Sequence, residues 1–163
     1  GSIESCGNMG FIGFLPDDTL VGITGVAGTS GGWIHRIDPA TLTVKSSNQA
    51  HDGSPKSFAM NSDGTLVVTG ASDGVVRVWE AATGKLLHQL SVDGQAQGVA
   101  FVGNDRVAVT PSGGGMLVFY IDTAKLLDVV RASIQRPFTP EECQRFGFVD
   151  DCPTLEELRA SAP

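Results

Sequence analysis

Few residues of this chain have both the type and the spacing for chemistry. His51 and Asp73 come nearest to a base with an orienting carboxylate, the pairing an imidazole needs to accept a proton near neutral pH. A buried imidazole with satisfied partners is a poor base, though, and no hydroxyl, thiol or carboxylate stands out as a nucleophile. The three histidines, His35, His51 and His88, lack metal-ligand spacing, and Asp17-Asp18 and Asp150-Asp151 read as solvated turns. The glycine-rich GITGVAGTSGG (22–32) suggests a phosphate cradle, but no Lys-Ser or Lys-Thr follows and no helical pattern begins, which reads as a loop between strands. Gly84-Lys85 fails the same test because Leu86 follows. Cys143 and Cys152 stand nine apart around an acidic turn. They are either a disulfide, worth about 2–3 kcal/mol for a loop of about ten residues, or two small buried apolar residues. The expectation is a chain with no catalytic constellation, no cofactor and no metal.

Composition bounds what must position these residues. The chain has 163 residues, a size suited to one domain, with 11 Lys and Arg against 18 Asp and Glu, so its formal net charge is −7. That acidic balance argues against a nucleic-acid partner. No apolar run approaches the roughly 18 residues of a membrane span, and the opening GSIESCGNMG lacks the pattern of a secretory signal. An opening Gly-Ser often derives from an expression vector, which points to a piece of a longer protein. Localisation is cytoplasmic by default and extracytoplasmic if Cys143 and Cys152 are oxidised. Of the 21 glycines only Gly147 lies beyond residue 121, while 13 of the last 42 residues are charged. That shift suggests a boundary between 1–121 and 122–163.

Residues 1–121 repeat. SFAMNSDGTLVVTGASDGVVRVWEAATGKLL (57–87) overlays GVAFVGNDRVAVTPSGGGMLVFYIDTAKLL (98–127), matching Met60 to Phe101, Leu66 to Val107 and Trp79 to Phe119, with a period of about 40. GFIGFLPDDTLVGITG (10–25) and GGWIHRIDPATL (31–42) fit the same template, placing Phe14 under Met60 and Ile37 under Trp79. In the middle copy, strand candidates 57–61, 65–70, 75–80 and 85–90 are separated by Ser62-Asp63-Gly64, Ser72-Asp73-Gly74 and Thr83-Gly84. Asp-Gly between apolar runs signals a tight hairpin. Four-stranded meanders repeating at this period bury their faces by stacking radially, so the expected fold is all-β, with three propeller blades at about 9–46, 56–90 and 97–121.

The stretch AHDGSPKSFAMNSDGTLVVTGASDGVVRVWEAATGKLL (50–87) resembles a WD-repeat blade, with Ala50-His51 at the usual Gly-His position and Trp79-Glu80 at the usual Trp-Asp position. The resemblance implies a buried hydrogen-bond chain through Trp79, Thr69, His51 and Asp73, which makes the role of His51 and Asp73 structural. The other copies depart from the pattern. Phe119 and Ile37 replace the Trp and no His precedes the third copy, so those blades are expected to hold by apolar packing alone. Three blades fall short of the about four to eight that close a propeller. The rest lies upstream in the chain or in a second copy, or the sheets form an open arc.

After residue 121 the period becomes helical: Leu126, Leu127, Val130 and Ile134 recur at three and four in IDTAKLLDVVRASIQR, with Asp122 or Thr123 as N-cap. A competing reading makes KLLDVVRA a fourth strand. Thr139-Pro140-Glu141-Glu142 and Thr154-Leu155-Glu156-Glu157 carry helix-start signals. FTPEECQRFGFVDDCP (138–153), with Phe138, Cys143, Phe146 and Cys152, resembles a tail that follows WD-repeat propellers in multidomain bacterial, especially actinobacterial, signalling proteins. That resemblance implies the C-terminal end of a larger protein whose upstream part is often a signalling ATPase, a kinase or a DNA-binding activator.

The resulting expectation is a non-enzymatic platform that binds a protein or small ligand, reports to upstream domains and offers Lys56, Arg77 and Arg106 as partner-facing candidates. The alternatives are a self-assembling ring of partial propellers and a propeller hydrolase with its active site in the central channel.

Overall fold

A computed structural model describes residues 8–25, 31–133, 139–145, 154, 156 and 157. The chain divides into two compact units, 1–119 and 120–163. Sheet one of the first unit runs β1 (Asn8–Phe14), β2 (Leu20–Gly25), β3 (Gly32–Asp38) and β4 (Thr43–His51). Sheet two runs β5 (Pro55–Met60), β6 (Leu66–Ala71), β7 (Val75–Glu80) and β8 (Lys85–Ser91). Both are four-stranded antiparallel meanders with neighbours in chain order. Among the described residues the third sheet holds three strands, β9 (Ala96–Val102), β10 (Arg106–Pro111) and β11 (Leu117–Tyr120).

The turns account for the meanders. The glycines that close the three expected turns of sheet two, Gly64, Gly74 and Gly84, all have positive φ. At Gly74 (φ 75°) an added Cβ would also lie 2.7 Å from the carbonyl oxygen of Gly94, so no other residue fits there without strain. Asp73 completes this turn by accepting from the Val75 amide (3.0 Å).

Alternation decides which face is covered. In β6 and β7, Val67 pairs with Trp79 and Thr69 with Arg77, which places Met60, Val67 and Trp79 on one face. That face meets Val21, Ile23 and Ile34 of sheet one in a single apolar cluster with Leu15, Ala50 and Ala81. Each Val, Leu or Ile among them contributes roughly 1.5–3 kcal/mol when fully buried. On the far face of sheet one, Ile12 and Phe14 are 59% and 61% exposed, while Thr24, His35 and Ile37 are buried. The innermost strand of sheet two, β5, packs against β9 of the third sheet.

After residue 121 the structure follows the helical reading and not the competing fourth strand. Asp122 Oδ1 accepts from the amides of Ala124 (2.9 Å) and Lys125 (3.2 Å) and starts helix α1 (Thr123–Ser133). This capped start and the three-four spacing override the resemblance of KLLDVVRA to the strand KLLHQL. Helix α2 (Pro140–Arg145) opens with a reciprocal capping box: Glu142 N donates to Thr139 Oγ1 (3.2 Å) and Thr139 N to Glu142 Oε2 (2.9 Å). Thr154 and Glu157 repeat that exchange. Ile134, Phe138, Phe146 and Cys152 lie outside the described residues. No helix among the described residues is long and apolar enough to cross a membrane.

Candidate functional site

Four polar side chains meet inside the seam between sheets one and two. Trp79 Nε1 donates to Thr69 Oγ1 (3.0 Å), Thr69 Oγ1 lies 2.8 Å from His51 Nε2, and His51 Nδ1 lies 3.2 Å from Asp73 Oδ2. The protons follow from the ends of the chain. An indole N–H only donates and a carboxylate only accepts, so His51 carries its hydrogen on Nδ1, and Thr69 donates to Nε2 while accepting from Trp79. The same Asp73 oxygen also accepts from the amides of Asp52 (3.2 Å) and Gly53 (3.4 Å), tying the β4–β5 connection to the β6–β7 turn.

His51 and Thr69 are each 0% exposed. Burial dominates the imidazole and lowers its pKa, and the Asp73 carboxylate opposes this only in part. Burial pushes Asp73 the other way, but the Val75 amide, the neighbouring His51 ring and the Gly53 amide together reverse it and hold the carboxyl below its ordinary value. The result is a neutral imidazole on an ionised carboxylate, with every donor used and no path to solvent at His51. Such an arrangement fixes geometry and has no open position for a substrate.

Sheet one holds a second relay that the repeat pattern does not announce. His35 Nε2 lies 2.9 Å from Thr24 Oγ1 and His35 Nδ1 lies 2.7 Å from Ser47 Oγ. Gly22 pairs with His35 as Thr69 pairs with Arg77, so glycine stands where the second sheet has its relay hydroxyl, and the imidazole comes from the third strand instead. The expectation that this blade holds by apolar packing alone is therefore corrected. Burial also lowers the His35 pKa. The relay runs from the buried Thr24 to the exposed Ser47 across three strands, and only the alternation of β2, β3 and β4 could have brought the three residues to one face.

The three cationic candidates are not brought together. Lys56 is exposed on β5. Arg77 is half-buried, with Nη1 donating to the Ala50 carbonyl and Nε to Gln89 Oε1 (3.0 Å), so it serves the joint between β4 and β7. Arg106 is half-buried with Nε 3.8 Å from Asp105 Oδ1. At the opposite end of the blades from His51, Asn104 Nδ2 donates to Asp63 Oδ2 (2.7 Å) and Asn61 Nδ2 to Asn104 Oδ1 (3.3 Å), linking the first turns of sheets two and three. Cys143 is buried and disulfide-bonded, and Cys152 lies outside the described residues. No group of three or more His, Cys, Asp or Glu among the described residues has the geometry of a metal site.

The family profile for the anaphase-promoting complex subunit 4 WD40 domain matches residues 29–111. The chain belongs to the WD40-repeat propeller family. It is 30% identical over 104 residues to the ribosome biogenesis protein erb1 of Botryotinia fuckeliana, which covers 61% of this chain and 13% of that protein. It is 23% identical over 92 residues to the small ribosomal subunit protein RACK1z of Arabidopsis thaliana, covering 56% of this chain and 28% of that one. The chain thus spans less than a third of either relative. The solved β-propeller domain of Myceliophteria thermophila Cps50 (Swd1) superposes with a TM-score of 0.61 at 15% identity, over 71% of this chain and 36% of that one. WD40 propeller domains are typically protein–protein interaction scaffolds.

Thr69→Val keeps the shape of the side chain but strips Trp79 and His51 of their shared partner. The expected loss of stability is about 3 kcal/mol in urea unfolding, because two buried groups go unpaired. The relay also sets a pH dependence. His51 and His35 bind protons more weakly folded than unfolded, so stability is flat above the ordinary histidine value of about 6.5 and falls as pH drops below it. The Asp73 contribution is lost further down, below about 3.9. His51→Gln is expected to flatten part of the slope between about pH 6.5 and pH 5, with His35 keeping the rest.

Proposed function

We propose that this chain is a non-enzymatic interaction platform, a rigid run of WD40 blades whose exposed turns engage another protein. The observation that supports this most is the enclosure of His51, Thr69 and Trp79: the constellation most like an active site is spent on holding two sheets together. The scaffold role typical of the family agrees with it. The tail resemblance around Cys143 supports a place at the C-terminal end of a larger regulatory protein. The bacterial origin that the same resemblance implies gains no support from the relatives, which are eukaryotic, and is not part of the proposal.

A specific observation favours a second reading, in which another copy completes the ring. Ile12 and Phe14 are largely exposed on the far face of sheet one, and the third sheet ends at β11, where Leu117 and Val118 are exposed. Exposed apolar faces and unpaired edges invite another chain.

Affinity capture with the full chain is expected to return a reproducible set of binding proteins. That set should be lost when the exposed turns at 39–42 and 113–116 are replaced by Gly-Ser, with thermal unfolding unchanged. Labelling by active-site hydrolase probes with no capture would contradict the platform. Light scattering separates the second reading: a dimer that Phe14→Glu dissociates supports self-completion, and a monomer at all concentrations removes it.

A further inference from the structure

The turn that joins β1 to β2 meets two turns of sheet two and leaves a groove of about 390 Å³ between them, within the range of ligand sites. Its floor and walls are apolar: Leu15, Pro16, Leu66, Ala82 and Leu87. Leu15 is buried in the seam, whereas Leu87 is 40% exposed, so the groove continues the core outward and opens to solvent. Two carboxylates, Asp17 and Glu80, stand on its rim.

Both walls are held in place. The turn of sheet one is closed by Leu15 N on Thr19 O (2.8 Å) and Asp18 N on Leu15 O (2.9 Å), and Asp17 Oδ1 accepts from Thr19 N (3.0 Å). Across the groove Gly64 (φ 70°) approaches so closely that an added Cβ would lie 2.7 Å from Pro16 Cδ. Glu80 Oε2 accepts from Thr83 Oγ1, which fixes the second carboxylate at the end of β7. The backbone amide of Thr19 keeps Asp17 ionised by lowering its pKa, with Lys45 and Arg36 adding smaller contributions. Lys45 is itself held between Asp38 Oδ2 (3.7 Å) and Thr19 Oγ1 (3.5 Å).

An apolar hole flanked by oriented carboxylates selects its occupant. An apolar side chain fills the hole, a cation on either side of it meets the rim, and an acidic segment is repelled. We propose that this groove docks a short segment of a partner protein in which one apolar side chain is flanked by Arg or Lys. The proposal rests on the platform reading and names the chemistry of one partner segment.

The test is a two-dimensional amide NMR titration of the full chain with the peptide acetyl-Ala-Arg-Leu-Arg-Ala-amide, up to about 1 mM. The expected result is saturable shifts at residues 15–17, 64–66 and 80–87. Asp17→Asn with Glu80→Gln should weaken binding about tenfold, Ala82→Arg should abolish it, and the Glu-Leu-Glu analogue should cause no shifts. Asn at position 17 keeps the acceptor for the Thr19 amide, so the turn is retained. Absence of shifts in the groove, equal binding of the two peptides, or full binding by the Asp17→Asn/Glu80→Gln protein would overturn the proposal. If partner capture persists alongside any of these, only the groove is retired. Loss of capture as well retires the platform reading beneath it.

Discussion

A β-sheet with an apolar face has to bury it, and the facing sides of sheets one and two cover each other. The seam between sheets one and two therefore carries much of the first unit. Val21, Ile23 and Ile34 supply one side of it, Val67 and Trp79 the other, and Leu15, Ala50 and Ala81 close its margins. Apolar contact alone would let such sheets slide, because hydrophobic burial has little directionality. The chain from Trp79 through Thr69 and His51 to Asp73 adds direction. Its bonds join β7 to β6, β6 to the end of β4, and that end back to the β6–β7 turn, so the last strand of one sheet is held in register with the next sheet. Arg77, which pairs with Thr69, adds a further tie to β4 through the Ala50 carbonyl.

The functional reading follows from where polarity has been placed. The buried polar groups of His51, Thr69 and Trp79 are paired with one another inside the protein, and the exposed polar groups of the turns are left to face a partner. Rigid blades with adaptable turns suit recognition, because the partner meets a surface that does not have to be ordered on binding. The groove beside Pro16 is one such surface, and the linked turns at Asn61, Asp63 and Asn104 show that the same end of the blades is braced from sheet two to sheet three.

Sheet two was the most legible part of the sequence. Its strands alternate cleanly and its turns end in glycine, and the strands observed differ from those expected by two residues or fewer at any end. The relay residues could be placed by resemblance because their types sit at the family's positions. Less was legible elsewhere, for physical reasons. The Thr24–His35–Ser47 relay uses a different strand from the pattern, with Gly22 in the hydroxyl position, so no motif points to it. Arg77 looked like a surface cation because nothing local reveals a bond to a carbonyl 27 residues away. The groove is assembled from three separate turns, and its shape depends on the approach of Gly64 to Pro16, a contact between residues 48 positions apart. The helix after residue 121 was legible in its three-four spacing but competed with a strand-like repeat, and the Asp122 cap decided it.

The central claim is that His51 is a buried, neutral structural group with its proton on Nδ1. Nitrogen-15 and carbon-13 NMR of the His51 ring between about pH 7.5 and pH 5 tests this most directly. The account predicts a single neutral Nδ1–H tautomer throughout the folded range, with protonation appearing only as the protein unfolds. Reversible titration of the folded protein near the ordinary histidine value, or an Nε2–H tautomer, would contradict it and return His51 and Asp73 to the candidates for catalysis.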